Sequence, residues 1–217
     1  MQDAISIISG KPLLKINKEY RELKTHGTVV IGNLFKQSLL ERNNLNKKTS
    51  KDKKETLEYL TGVREFETQV YHCHGSDEKI YLTKNYRNLK NYTLFNGLFY
   101  SKTIIEGEIK KIICLSGFYG ETSDLYHFND QDLQDITKKE TWTDLLCINS
   151  LIRNNITTFS PSFYELVFKI KPELIVIGNN NKLEVVKFPL TDIQTVLIGK
   201  NDHIIWDYST NSIYRKL

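Results

Sequence analysis

The sequence has few of the features that mark a secreted or membrane-spanning protein. Its 217 residues include three cysteines and four prolines, and no apolar run approaches the roughly 18 residues of a membrane span. The N-terminus lacks a basic leader followed by a long apolar core, so no secretory signal is expected. Cys73, Cys114 and Cys147 lie far apart among apolar neighbours, which predicts buried, reduced thiols. We therefore expect an intracellular, cytoplasmic protein with no membrane partner.

Common catalytic motifs are also missing. The chain has no glycine-rich phosphate loop, and Cys114-Leu115-Ser116-Gly117 is not the Gly-x-Ser-x-Gly turn that presents a nucleophilic serine. No cofactor is predicted on this basis. The sequence leaves open whether the protein is an enzyme.

The composition favours one globular domain. Hydrophobic residues make up 40% of the chain, which is enough for a core, and the net charge is +4. A weakly basic protein permits a polyanionic partner without requiring one. We predict a single domain over 1–217, with a soft boundary near 125–140.

The clearest structural pattern lies in Phe163–Ile198. Strand-like apolar runs occur at 163–170, 174–177, 183–188, 194–198 and 203–206. Gly178–Lys182 is rich in residues that tolerate positive φ, so it predicts the turn of a β-hairpin between 174–177 and 183–188. We therefore predict a C-terminal antiparallel meander over about 163–206.

Additional strands and helices are expected earlier in the chain. Strands are predicted at 27–31 and 67–73, a hairpin around 104–109, and helices at 34–42 and 56–63. Thr141–Asn154 has the most helical pattern, because Leu145, Ile148, Leu151 and Ile152 form an apolar stripe. The predicted fold class is α+β, mainly antiparallel sheet, packed by two or three helices.

One strongly biased segment contains the candidate polyanion-binding residues. The segment 46–55 has no apolar residue and concentrates positive charge. A loop of this kind can contact phosphate groups, although no aromatic residue is present to stack on bases. The residues concerned are Lys47, Lys48, Lys51, Lys53 and Lys54.

Two short elements combine a histidine with a hydroxyl residue. Thr25-His26-Gly27-Thr28 gives His-x-Thr, and His74-Gly75-Ser76 gives His-x-Ser. The pair resembles the His-x-Thr/Ser motifs of the two-histidine phosphoesterases. The resemblance implies metal-independent cleavage of a phosphodiester, with His26 and His74 as general acid and base and Thr28 and Ser76 as phosphate ligands.

A metal site is the alternative interpretation of the second element. On a strand, His72 and His74 would share one face and Cys73 the other. Two imidazoles can bind a transition metal, but a further ligand such as His127 or Asp124 would have to come from far along the chain. We therefore predict no metal site.

Two functional hypotheses remain. The first is a binding protein that engages a protein or a nucleic acid, through exposed tyrosines and the lysine segment. The alternative is a metal-independent phosphodiesterase or nuclease that uses the His26/His74 pair. The sequence does not identify the partner, the substrate or the oligomeric state.

Overall fold

The computed structural model describes residues 3–9, 25–32, 68–74, 92–94, 99–103, 110–120, 127–150, 159–180, 182–199 and 202–215. In these ranges the chain forms two β-sheets that pack face to face, with two helices on the outer side of the second sheet. Neither helix has the length and apolar character that crossing a membrane requires.

The first sheet has the strand order β13-β12-β1-β2-β3-β4. Strands β1 to β4 run parallel to one another, whereas β12 and β13 are antiparallel to their neighbours. The bounds are β1 Ala4–Ser9, β2 Gly27–Gly32, β3 Val70–His74, β4 Tyr92–Leu94, β12 His203–Asp207 and β13 Ser212–Arg215.

The second sheet has the order β10-β11-β9-β8-β6-β5, and β7 also pairs with β6. Strands β11, β9, β8, β6 and β7 are parallel. The marginal strands β5 and β10 are antiparallel to their neighbours. The bounds are β5 Phe99–Thr103, β6 Lys111–Tyr119, β7 His127–Phe128, β8 Leu145–Ser150, β9 Leu174–Asn180, β10 Glu184–Lys187 and β11 Gln194–Gly199.

Each helix begins at a side-chain cap that the sequence supplies. Helix α1 (Asp130–Lys139) follows Asn129, whose side chain accepts hydrogen bonds from the first turn and forms a capping box with Asp132. Helix α2 (Pro161–Ile170) follows Ser160, whose side chain accepts from Phe163 N, and proline occupies the first helical position.

The core has two layers, one on each side of the second sheet. Along β9, Leu174 and Val176 pack between the sheets with Trp206. Ile175 and Ile177 face the helices. Because β9 is buried on both faces, its sequence is an uninterrupted apolar run.

The predicted fold class is wrong. Both sheets have parallel centres, and antiparallel pairing is confined to their margins. The structure is an α/β-type sandwich with two described helices, not a mainly antiparallel sheet. The apolar strands that were expected to form a meander are instead central strands covered on both sides, which is the usual environment of parallel sheets.

Two segments have the opposite secondary structure from the one predicted. The segment 163–170 was predicted as a strand and lies in helix α2, where Phe163, Leu166, Val167 and Ile170 form one buried face. Thr141–Asn154 was predicted as a helix and contains strand β8.

The predicted hairpin between 174–177 and 183–188 is also wrong. Strand β9 pairs with β11 in parallel, and β10 pairs with β11 on the other side. The antiparallel connection therefore joins β10 to β11. The strands at 27–31 and 67–73 are confirmed as β2 and β3. The antiparallel pairing of β5 with β6 agrees with a hairpin there, although 104–109 lies outside the described residues.

Candidate functional site at the carboxyl edge of the sheets

The parallel strands of both sheets end at one common edge, which we call the carboxyl edge. Gly32 at the end of β2 lies against Asn149 near the end of β8, and a Cβ added to Gly32 would be 3.2 Å from Asn149 Oδ1. At the opposite, amino edge, Lys110 Nζ lies 5.2 Å from the ring centre of Tyr208. Ligands of α/β sheets bind outside the carboxyl ends of parallel strands, so the carboxyl edge is the candidate site.

Strand β6 contains a bulge where it reaches this edge. Its pairing with β8 shifts between Leu115 and Phe118, and Gly117 inside the shift has a φ of 83°. Glycine adopts positive φ without a steric penalty. A bulge redirects the backbone groups of the strand that contains it. The carbonyl of Gly117 is thereby available to a side chain on β8.

The side chain that bonds to this carbonyl is Asn149. Its side chain is 2% exposed, and its Nδ2 donates to Gly117 O over 2.8 Å. The Asn149 Oδ1 faces Gly32, which has a φ of 95°. The amide of Asn149 therefore joins two strands of the second sheet and contacts the end of β2 in the first sheet.

Gly178 gives β9 its close approach to the same residues. A Cβ at this position would lie 2.6 Å from Ile31 Cγ2 and 2.9 Å from Asn149 O. Side chains do not make contacts that short, so only glycine fits without a shift of the surrounding backbone. Gly32 and Gly178 thus bring the two sheets together around Asn149.

A thiol adds a second link between the sheets. Cys73 Sγ on β3 donates to Leu115 O over 3.3 Å, and Ser116 Oγ donates to Cys73 Sγ over 3.7 Å. Burial raises the pKa of the nearby Cys114 thiol well above its usual value, and the thiols of Cys147 and Cys73 raise it further. Burial also raises the pKa of the Cys147 thiol, and all three cysteines are buried and free, as predicted. We call the following residues the edge cluster: Gly32, Cys73, Ser116, Gly117, Asn149 and Gly178.

His72 also supports the end of β2. It is fully buried, and its Nε2 donates to Gly32 O over 2.9 Å. Cys73 faces the core between the sheets, so His72 lies on the opposite face of β3, as strand alternation requires. Its Nε2 is a protonated donor and is not available as a metal ligand in this arrangement.

The first predicted catalytic element lies away from this edge. His26 is exposed, precedes β2 at the amino edge, and hydrogen-bonds through Nδ1 to the hydroxyl of Tyr208. Thr28 is buried in β2, and its Oγ1 is 3.3 Å from Thr68 Oγ1. Both residues contact other parts of the first sheet.

The second predicted element begins at the other end of the neighbouring strand. His74 ends β3 and pairs with Gly32 at the carboxyl edge. His26 is six positions before Gly32 on the same run, which corresponds to roughly 20 Å at 3.3 Å per residue. An acid–base pair must reach one phosphate, and the fold does not bring His26 and His74 together. Ser76 lies outside the described residues.

The other predicted binding residues are also outside the described residues, namely Lys47, Lys48, Lys51, Lys53 and Lys54. Of the additional metal ligands considered, Asp124 is outside as well, and His127 forms part of β7. In the described ranges, no three His, Cys, Asp or Glu residues group in a way that could hold a metal ion.

Sequence reasoning did not identify the edge cluster. The available signal was a glycine at or near the end of several apolar runs, at positions 32, 117 and 178. Glycine in or after a strand indicates a bulge or a close backbone approach. The contact of Asn149 with Gly117 spans 32 positions of the chain, and only the parallel pairing of β6 with β8 brings them together.

Comparison with known proteins identifies the fold. No protein-family model and no curated protein matches the sequence. Solved structures do match: the protein TT1561 of Thermus thermophilus has a TM-score of 0.67 and 12% identity, covering 100% of this chain and 99% of that chain. A dimetal phosphatase from Danio rerio has a TM-score of 0.62 and 10% identity, covering 94% and 92%. GAP50, the anchor in the inner membrane complex of Plasmodium, has a TM-score of 0.59 and 12% identity, covering 98% and 84%.

At these identities the likeness shows the fold alone. The fold contains a phosphatase and a protein described as an anchor, so it does not by itself imply one activity. It assigns neither a substrate nor a catalytic residue to this chain.

The described residues do not fit a pair of metal ions. Two-metal hydrolysis requires carboxylate and imidazole ligands around closely spaced cations. The last three residues of β2, β3, β6, β8 and β9 include two histidines and no aspartate or glutamate. His72 Nε2 and Asn149 Nδ2 both donate to backbone carbonyls. We therefore derive no step through metal ions at this edge.

Proposed function

We propose that the protein binds phosphate esters at the carboxyl edge. The observation behind this proposal is that the parallel strands of both sheets end together at the edge cluster, in a fold shared with a dimetal phosphatase. This position is where α/β sheets bind ligands. Phosphate is also the group common to the polyanion-binding and phosphodiesterase hypotheses from the sequence.

The ends of five of the parallel strands carry no negative charge. No carboxylate occurs in the last three residues of β2, β3, β6, β8 or β9, so a phosphate meets no negative charge from them. Gly32 and Asn180 are partly exposed at the ends of β2 and β9. Their backbone and amide groups are neutral, and neutral N–H donors are suitable partners for phosphate oxygens.

Hydrolysis of a bound ester is the second candidate function. The fold shared with the Danio rerio phosphatase favours it. The described donors at the carboxyl edge do not fit two metal ions, and His26 does not reach that edge. We therefore place ester binding first and treat turnover as a separate outcome of the same experiment.

The test is direct binding of a panel of phosphate esters to the full chain. The panel comprises a nucleoside monophosphate, a cyclic nucleotide, an aryl phosphodiester and a short single-stranded RNA, with sulfate as an inorganic control. Binding is measured by calorimetry, and release of phosphate or alcohol is measured on the same samples. Saturable binding of at least one ester in preference to sulfate is the expected result.

Two matched variants assign the binding to the edge. Asn180→Asp adds a negative charge at the end of β9, whereas Gln194→Glu makes the same amide-to-carboxylate change at the start of β11. We expect Asn180→Asp to weaken binding about fivefold, since a like charge near a partly solvated phosphate costs on the order of 1 kcal/mol. Gln194→Glu should bind like the wild type. Absence of ester binding, or equal losses in both variants, would overturn the proposal.

A further inference from the structure

Asn149 occupies the point where the ends of four strands meet. It is buried on β8, donates to Gly117 O on β6 over 2.8 Å, and places Oδ1 against Gly32 of β2. A Cβ added to Gly178 of β9 would lie 2.9 Å from the backbone oxygen of Asn149. Asn149 therefore bonds two neighbouring strands of the second sheet to each other and packs against the facing strand of the first.

The chemistry of this connection is neutral throughout. The donor is an amide N–H and the acceptor is a backbone carbonyl. The adjacent link uses the Cys73 thiol, the Ser116 hydroxyl and the carbonyl of Leu115. A divalent cation would need lone pairs directed at it, whereas Nδ2 of Asn149 and Nε2 of His72 present hydrogens to carbonyl groups.

We infer that the edge cluster joins the two sheets by the neutral hydrogen bonds of Cys73 and by the close packing of Gly32 and Gly178 around Asn149, in place of metal ions, and that the carboxyl edge takes up a phosphate ester without a divalent cation. The second part rests on the proposed function, and the first part does not. Asn149 is a positioning residue in this scheme, since it orders the strand ends and does not itself contact the ester.

The first experiment measures thermal unfolding of the wild-type full chain after EDTA treatment, and again with added Mn²⁺, Zn²⁺ or Mg²⁺. The expected result is the same Tm in every sample. A metal present at about 100 times its Kd would raise the Tm of a chain of this size by roughly 5–11 °C. A rise of that kind with any of the three metals, removed by EDTA, would overturn the inference.

The second experiment tests the role of Asn149. Asn149→Asp replaces the N–H donor with a carboxylate oxygen that faces Gly117 O, so the Tm should fall by roughly 2–12 °C and the added metals should not restore it. Asn180→Ala, which removes an exposed amide that donates to Lys182 O, is the control and should change the Tm much less. A fall in Tm no larger than that of Asn180→Ala would contradict the inference, because the Asn149 hydrogen bond would then contribute nothing to the connection. If this variant does not fold, the wild-type titration alone decides the question.

The third experiment separates this inference from the proposed function. Ester affinity of the wild type is measured with EDTA and with Mn²⁺, using the ester that binds best in the panel. Equal affinities are expected. Binding that appears only with metal would refute the inference and leave the proposed function intact, whereas no binding in either condition would refute the proposed function. A metal-independent Tm would then still support the neutral connection between the sheets.

Discussion

The imidazole of His26 hydrogen-bonds through Nδ1 to the hydroxyl of Tyr208 and stacks beside its ring, and this pair joins the start of β2 to the residue after β12. Lys110 lies over the same ring and pairs with Asp144 and Glu173 at the amino ends of β8 and β9. The histidine that resembled a catalytic residue in the sequence therefore belongs to a group of contacts that connects the two sheets at the amino edge.

This arrangement predicts that His26 and Tyr208 stabilise the fold jointly. Truncation to His26→Ala or Tyr208→Phe should each lower the free energy of unfolding by about 0.5–1.5 kcal/mol, the usual contribution of one hydrogen bond. The double variant should lose less than the sum, because the two changes remove the same interaction. Urea denaturation gives the free energy of unfolding of the wild type, the two single variants and the double variant. Strictly additive losses would show that the interaction between the two side chains contributes nothing to the free energy of unfolding.

A second prediction concerns Gly178, where β9 approaches β2. The added methyl of Gly178→Ala would lie 2.6 Å from Ile31 Cγ2 and 2.9 Å from Asn149 O. Because one of these atoms belongs to the backbone, the strands must move apart, and we expect a loss of about 1–3 kcal/mol in unfolding free energy. Gly27→Ala is the matched control, since its nearest contact is the edge of the Tyr71 ring at 3.1 Å. Equal stability of Gly178→Ala and the wild type would disprove the tight contact between the sheets.

The apolar runs of β2, β3, β9, β10, β11 and β12 were predicted as strands, but two segments were misassigned for a physical reason. Leu145, Leu146, Cys147 and Ile148 are all buried, because β8 has the first sheet on one side and the helices on the other. A strand buried on both faces shows no alternation, and its apolar run is compatible with a helix. The predicted helical stripe over Thr141–Asn154 arose in this way.

Helix α2 was missed although its signals were present. Ser160 followed by Pro161 is a favoured helix start, and Phe163, Leu166, Val167 and Ile170 have helical spacing. The aromatic and β-branched content of the segment favoured a strand instead. With α2 assigned as a helix, its position between β8 and β9 would have indicated a parallel crossover and the α/β class.

Most of the candidate site could not be predicted from the sequence. Asn149 and Gly117 are ordinary residues in the sequence, and their contact depends on the bulge in β6 and on the parallel register with β8. The separation of His26 from His74 likewise follows from the parallel pairing of β2 and β3. An antiparallel pairing would have allowed the two histidines to approach each other.

A third prediction concerns stability at low pH. Hydrogen bonds from the Ser209 hydroxyl and from the backbone N–H groups of Ser209 and Thr210 lower the pKa of Asp207. A carboxyl group whose pKa is lowered in the folded state stabilises the protein at pH values above its unfolded pKa of about 3.9. This contribution disappears as the pH falls through the folded pKa. Asp207→Asn should therefore lower the Tm at neutral pH, by an amount that shrinks below about pH 4. Thermal unfolding across pH measures this difference, and a difference that is constant with pH would contradict the assignment.

The lysine segment gives the last prediction, which concerns a nucleic-acid partner. Replacing its lysines by glutamine should weaken binding to single-stranded RNA. It should also reduce the slope of log affinity against log salt concentration, by about 0.7 for each phosphate that is no longer neutralised. The lysines to replace are Lys47, Lys48, Lys51, Lys53 and Lys54. The control replaces exposed lysines elsewhere, Lys138, Lys139 and Lys187, and should keep the wild-type slope. Fluorescence anisotropy at several salt concentrations provides the slopes. An affinity that does not change with salt in the wild type would exclude a phosphate-directed role for this segment, because binding to phosphates releases counterions.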